Sequence, residues 1–398
     1  MGDAQAAGTA VERLLAGSVD ALPAGRLAQQ LVSGRPLRVK FGMDPTSPDI
    51  HLGHCVVLSK LRTFQDLGHT VVLIVGDYTA RVGDPSGRDS TRPVLSAAEI
   101  EANARTYQEQ AFKLLDWERT EIRHNSEWLE MSSAELFELV RRFTVARLLE
   151  RDDFQRRIEA GQGISTLELL YPVLQGYDSV AVQADVEMGA TDQRFNLLFG
   201  RDVQEAFDQA PQSILTMPIL VGTDGVRKMS KSYDNYVGVT DEPAEMFGRL
   251  MSIPDDLMPD YYTLLLGREP DASLHPNESK RTLGRELVTR FHDAEAAVAA
   301  EERFDAVHKR GEVPDDIPTV QPEVGEDGTV HLPGLLARQF GLSSSEARRL
   351  LAQGGVKVDG TALPPGDELD VPLERLSGRV VQVGKRRFAR IAAPNQPA

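Results

Sequence analysis

Two rhythms of apolar positions alternate along the first two hundred residues. Leu37, Val39 and Phe41 are separated by polar neighbours and predict a short strand. Val56, Val57, Leu61, Phe64 and Leu67 then fall on one face of a helix running from Leu52 to Leu67, and Gly68 is suited to the left-handed turn that ends it. Val71-Val72-Leu73-Ile74-Val75 is an unbroken apolar run, the pattern of a parallel strand covered on both faces. Residues 37–77 therefore predict one βαβ unit. Ser96 with Glu99, and Ser132 with Glu135, have capping-box spacing and predict two more helix starts. Asp185 to Asp192 predicts another strand-to-helix turn. This alternation points to an α/β fold, an open parallel sheet with helices on both faces and its ligand at the carboxyl ends of the strands. Asp44-Pro45-Thr46 and Thr191-Asp192 both follow strands, so both are expected on that edge.

From Pro243 the pattern turns helical, most clearly over Glu245 to Met251 and Arg281 to Arg303. Pro314 to Gly325 reads as a polar linker. Leu332 to Leu351 is again helical, and Val356 to Gly360 predicts a strand and a tight turn. Three domains are expected: a Rossmann-like sheet domain over 1–242, an α-helical domain and linker over 243–325, and a small α+β domain over 326–398.

Composition narrows the setting. At 398 residues the chain can bury a sizeable core, and its apolar and charged fractions are ordinary for a soluble globular enzyme. Cys55 is the single cysteine, so no intramolecular disulfide can form. No apolar stretch approaches the ~20 residues needed to span a bilayer, and no signal peptide is visible, so a cytoplasmic protein is expected. The net charge of −16 argues against a polyanion partner, but residues 331–398 carry a net +4 and the remainder −20. An acidic body with a basic tail could still hold RNA through the tail.

Four segments carry candidate chemistry. His51-Leu52-Gly53-His54 opens a helix, where free backbone N–H groups favour an anion; surface capping is the plainer alternative. A zinc site is disfavoured, because further ligands are missing nearby. Lys228-Met229-Ser230-Lys231-Ser232 lies among turn-forming residues. It is either a solvated charge run or a flexible loop whose ammonium groups close over a polyphosphate. Asp84, within Gly83-Asp84-Pro85-Ser86-Gly87-Arg88, is a turn residue or a carboxylate awaiting a substrate ammonium. Tyr171, Gln175 and Asp178 share one helical face, as a surface stripe or as a directional hydrogen-bonding set in a pocket.

Taken together and in this order, the first two segments resemble the HIGH and KMSKS signatures of class I aminoacyl-tRNA synthetases. The intervening Gly-Asp-Pro-Ser-Gly, Tyr-x-x-x-Gln-x-Tyr-Asp and Thr-Asp-Gln segments are similar to those of the bacterial tyrosine-specific branch, and residues 332–390 resemble its C-terminal RNA-binding domain. The resemblance implies a two-step reaction in which tyrosine attacks ATP to give tyrosyl-adenylate and pyrophosphate, and the tyrosyl group passes to the 3′ end of tRNA(Tyr). It implies that Asp84, Tyr171 and Gln175 hold the tyrosine ammonium and that Asp178 accepts the phenolic hydrogen, with Gln193 beside the amino acid. Gly42, Asp44, Gly53, His54 and Asp192 would face the adenosine, with Met229, Ser230 and Ser232 from the lysine loop. Thr46 and His51 would meet the leaving phosphates, joined by Arg88, Arg92, Lys228 and Lys231. Magnesium is expected with ATP, without an assigned protein ligand, and the protein is expected to be a homodimer. Two departures stand out: Lys40 occupies the place of a phenol-contacting tyrosine, and Ala190 that of a glycine. The alternatives are a tryptophan-specific enzyme of the same architecture, a catalytically silent RNA-binding paralogue, and a small-molecule adenylyltransferase.

Overall fold

The computed structural model describes residues 2–45, 49–86, 96–307, 317–363, 369–384 and 387–393. It divides into two compact units, Met1–Ala297 and Val298–Ala398.

In the first unit six strands form one sheet: β1 (Asp20–Leu22), β2 (Arg38–Met43), β3 (Thr70–Val75), β4 (Thr120–His124), β5 (Val186–Ala190) and β6 (Ser213–Met217), in the order β1-β6-β5-β2-β3-β4. Five run parallel, and the short edge strand β1 is antiparallel to β6. The apolar run behaves as expected, with Val71, Val72, Leu73, Ile74 and Val75 all buried. The βαβ unit is completed by the helix Leu52–Asp66, which buries Val56, Val57, Leu61 and Phe64. Gly68 follows at φ 89°, a conformation glycine adopts without steric cost. Both capping boxes are formed, at Ser96–Glu99 and Ser132–Glu135.

The helix Thr166–Ala181 carries the Tyr171–Asp178 face and packs against the helix Arg194–Ala206 through two glycines. A Cβ on Gly176 would lie 2.5 Å from Val203 Cγ2 and 3.3 Å from Gly200 Cα, so only glycine permits this approach. Phe199, Val203, Leu174 and Leu139 close the core beside it. The stretch Arg281–Arg303 is two helices rather than one, Pro276–Phe291 and Ala294–Asp305. His292 breaks it with non-helical φ −125° and ψ −104°, and Asp293 Oδ1 accepts from Ala296 N at 2.7 Å to start the second helix.

The second unit holds β7 (Thr319–Val320), β8 (Thr329–His331), β9 (Val356–Val358), β10 (Thr361–Ala362), β11 (Asp370–Pro372), β12 (Val380–Val383) and β13 (Arg387–Ile391). Five of them make a sheet in the order β10-β9-β12-β13-β7, and β11 pairs with β8. Part of the expected linker is therefore structural, since Thr319 and Val320 pair in parallel with Arg390 and Ile391. The expected helix 332–351 is interrupted: Gly341 at φ 63° ends Leu332–Phe340, and Ser343 caps Ser344–Ala352. Leu332, Leu336, Val356, Val381 and Ile391 are the centre of this unit's core.

The two-glycine contact predicts that Gly176→Ala destabilises the protein by about 1–3 kcal/mol through overpacking. A denaturant or thermal melt measures this; an unchanged midpoint would show that the two helices separate without cost.

Candidate active site

The carboxyl ends of β2, β5 and β6 and the amino end of the 52–66 helix open onto one cavity of about 620 Å³. That is the size of a small-ligand site. From β2 and its exit come Gly42 and Asp44; from the helix start come His51, Gly53 and His54. Asp84, Tyr171, Asp192 and Gln193 line it as well, as do Lys228, Met229, Ser230, Lys231 and Ser232. Six segments scattered in sequence thus meet in one crevice. Thr46, Arg88 and Arg92 lie outside the described residues.

At the helix start, His51 Nδ1 accepts from Gly53 N and His54 Nδ1 accepts from His51 N, each at 3.2 Å. The plainer capping reading is therefore also true: the histidines cap the helix and line the cavity together. Their rings lie 4.0 Å apart. A Cβ at Gly53 would sit 2.9 Å from the His51 ring, which is why a glycine separates them. Burial above all, with the Lys231 charge adding to it, holds the His54 imidazole down at about 4 and His51 well below the usual histidine range. Both rings are neutral at pH 7 and act there as hydrogen-bonding groups, not as cations.

The cations come from the lysine loop. Lys228 Nζ lies 3.4 Å from Asp192 Oδ2, and Lys231 is paired with Asp49. Buried Asn235 organises the loop, accepting from Ser230 N at 2.8 Å and donating to the Lys228 carbonyl at 3.1 Å and Asp224 at 3.0 Å. Met229 N reaches back to Leu220 O at 2.9 Å. Each ammonium can leave its carboxylate for a phosphate.

Asp44 is held from two sides, accepting from Tyr171 Oη at 2.9 Å and from Thr79 Oγ1 at 2.7 Å. Burial, reinforced by Asp44 and Asp84, pushes the Tyr171 phenol well above its usual value, so it stays a donor. Asp84 accepts from Ser86 N at 2.9 Å, with Gln193 and Asn196 amides 3.5 Å away.

Gln175 and Asp178 are not among the residues lining the open cavity; they sit behind Tyr171 on the same helix. Asp178 Oδ1 accepts from Trp128 Nε1 at 2.8 Å, and its Oδ2 lies 3.5 Å from Asn125 Nδ2. Burial lifts its carboxyl to about 7, against the opposing pull of Lys40 and the two donors. Lys40 is fully buried and spends all three donors on Glu187 (2.8 Å), the Gln175 carbonyl (2.7 Å) and Ser179 Oγ (2.8 Å). It has no donor left for a ligand. Asn125, Trp128, Glu187 and Asn196 were not anticipated from the sequence. Glu187 alone carried a signal there, as a charge inside an apolar strand.

The neutral histidines predict a pH response. A histidine whose folded pKa lies below its unfolded value stabilises the fold above about pH 6.5, and that contribution is lost as pH falls toward the folded value. Nitrogen-15 NMR of the His54 ring is expected to show protonation near pH 4. A midpoint near the unperturbed value would contradict its burial.

The family model for tRNA synthetases class I (W and Y) matches residues 32–309. A tyrosine–tRNA ligase of Bordetella avium is 51% identical, covering 92% of this chain and 91% of its own. One of Aromatoleum aromaticum is 50% identical over 98% of this chain and 99% of its own. Among solved structures, a C-terminally truncated mitochondrial tyrosyl-tRNA synthetase of Aspergillus nidulans matches 76% of this chain and 96% of its own with a TM-score of 0.63 at 21% identity. The Archaeoglobus fulgidus tyrosyl-tRNA synthetase complexed with L-tyrosine matches 73% and 99% with a TM-score of 0.60 at 22% identity. At those identities the likeness is one of fold. With the crevice, the paired histidines and the lysine loop in place, the chain belongs to the class I tRNA synthetases of the tryptophan and tyrosine family.

Proposed function

We propose that this chain activates L-tyrosine with ATP and transfers it to the 3′ end of tRNA(Tyr). The observation that carries the reading is a single cavity bounded by the neutral His51–His54 pair, the lysines of residues 228–232 and the Asp84–Tyr171–Gln193 group. The tyrosine carboxylate oxygen attacks the α-phosphorus, and the bond to the bridging oxygen of pyrophosphate breaks. No proton transfer is required of the protein. Its work is to hold the two reactants in line and to stabilise the charge of the pentacoordinate phosphate. Lys228 and Lys231 exchange Asp192 and Asp49 for phosphate oxygens, while His51 and His54 donate as neutral imidazoles. Thr46, Arg88 and Arg92 are proposed to join them at the leaving group. Gly42, Asp44, Gly53 and Asp192 face the nucleoside, with Met229, Ser230 and Ser232 covering it.

Asp84, Tyr171 and Gln175 receive the ammonium, with Gln193 alongside, and Asp178 accepts the phenolic hydrogen. Asp178 favours tyrosine over tryptophan: Trp128 and Asn125 hold a carboxyl group that keeps acceptor capacity for a hydroxyl donor. The alternatives of a silent paralogue or a small-molecule adenylyltransferase do not account for the intact lysine loop together with the basic tail. Among the described residues no three carboxylate, histidine or cysteine side chains group to hold a metal, so magnesium is proposed to arrive on the ATP phosphates.

The division of labour follows the chain: catalysis in 1–242, a helical connection in 243–325, and RNA anchoring in 326–398. Arg348 and Arg349 lie exposed on the 344–352 helix of the basic segment, as phosphate contacts require. A homodimer is supported by Phe137 and Val145, apolar side chains exposed on one segment. A cytoplasmic setting agrees with this function; among the described residues no helix is long and apolar enough to cross a membrane.

Asp178→Ala should raise the KM for tyrosine about 10-fold or more, as expected for a lost hydrogen bond to a charged group. The KM for ATP in pyrophosphate exchange should hardly change, and equal effects on the two would remove Asp178 from the phenol. Lys228→Ala or Lys231→Ala should slow single-turnover adenylate formation by about 10²-fold, as for one lost transition-state donor; an unchanged rate would deny the lysines that role. Arg348→Glu with Arg349→Glu should weaken tRNA charging and leave pyrophosphate exchange intact. Undiminished charging would take the RNA contact away from this helix.

A further inference from the structure

Two buried cations near the cavity have no part in the mechanism above. Lys40 is fully buried, and Arg151 is 2% exposed. Burying either is costly unless its donors find acceptors; Lys40 finds Glu187, Ser179 and the Gln175 carbonyl, and Arg151 finds polar side chains. Arg151 is held in a fork by Asp153, at 2.9 Å on both nitrogens, and its guanidinium lies over the Phe154 ring. Its Nη1 donates to Asn196 Oδ1, and Nη2, besides Asp153, reaches Ser86 Oγ at 3.3 Å. Asn196 Nδ2 donates to Gln175 Oε1 at 2.9 Å, and Gln175 Nε2 donates to Glu187 Oε1 at 3.0 Å. Glu187 is in turn paired with Lys40, and its other oxygen accepts from Ser179 and Gln212.

Direction matters here. Arginine can only donate and an ionised glutamate can only accept. With a donor-only group at one end and an acceptor-only group at the other, both intervening amides have one satisfied orientation. Asn196 must turn its oxygen to Arg151, and Gln175 must turn its nitrogen to Glu187. A flipped Gln175 would set its N–H groups against those of Asn196 and leave Glu187 short of a partner.

We infer that Arg151, Asn196, Glu187 and Lys40 form a one-way hydrogen-bond relay that fixes the Gln175 amide with its oxygen toward the ammonium of the bound amino acid. These are positioning residues, and the inference rests on the tyrosine-activating reading above. The ammonium then meets Gln175 Oε1 beside the Asp84 carboxylate, which lies 3.5 Å from the same Asn196 amide. Lys40 serves the phenol end as well, since its charge opposes the burial that lifts Asp178.

Glu187→Gln preserves size but adds a donor, which frees the Gln175 amide to turn. The test is calorimetric binding of two ligands to the full chain: L-tyrosine, and 3-(4-hydroxyphenyl)propionate, which lacks the ammonium. Glu187→Gln should weaken L-tyrosine about 10-fold and leave the propionate within about twofold, the loss of one charge-assisted contact. Asn196→Ala, which breaks the relay at its other step, should show the same selectivity. The exchange Gln175→Glu with Glu187→Gln restores an oxygen facing the ammonium and should recover the preference for L-tyrosine. Equal weakening of both ligands, no weakening, or a folded exchange variant without recovery would each overturn the relay. Failure of the parent protein to bind L-tyrosine would instead overturn the functional reading.

Discussion

Strand β2 is hydrogen-bonded in parallel on both sides, to β3 on one and β5 on the other, and the site depends on that placement. The chain leaves β2 through the 52–66 helix to reach β3, and only much later lays β5 against the opposite edge. The connections therefore diverge at the carboxyl end of β2, leaving a crevice that no crossover covers. Asp44 enters from β2, Asp192 and Gln193 follow β5, and Leu220 follows β6 to receive the lysine loop. The amino end of the helix brings the His51 and His54 rings and the bare Gly53 backbone to the same crevice. Remove the parallel pairing on either side and the lining segments no longer meet.

Nearly every charged group at this crevice is already engaged: Tyr171 with Asp44, Lys228 with Asp192, Lys231 with Asp49. Ligand binding is accordingly an exchange of partners, which lowers the cost of desolvating bare charges when substrates enter. Neutral histidines suit this arrangement. Beside Lys231, a protonated imidazole would be repelled, and burial already disfavours it.

The crevice was legible in the sequence because its parts are short-range patterns. The βαβ unit shows in the period of Val56, Val57, Leu61 and Phe64 and in the run Val71–Val75. The residues that line the cavity cluster in segments whose spacing carries their chemistry. Elements whose limits depend on one backbone conformation were not legible. The helix break at His292 and the left-handed Gly341 interrupt sequences that keep helical periodicity across them. Thr319 and Val320 read as linker because a two-residue edge strand has no pattern of its own and exists only through its pairing with β13. Lys40 was legible as a departure, but its role was not. Its partner Glu187 is more than a hundred residues away, and only the β2–β5 register brings Lys40 opposite it. Asn196 and Trp128 were missed for the same reason, since each acts on a site residue distant in sequence.

Asp178, held by Trp128 and Asn125, is proposed to select tyrosine for attack on ATP. ATP–pyrophosphate exchange by the parent protein, compared across L-tyrosine, L-tryptophan and L-phenylalanine, tests it most directly. Exchange should be rapid with tyrosine and almost absent with the other two, because neither can offer a phenolic hydrogen to Asp178. Exchange driven equally well by phenylalanine, or better by tryptophan, would contradict it.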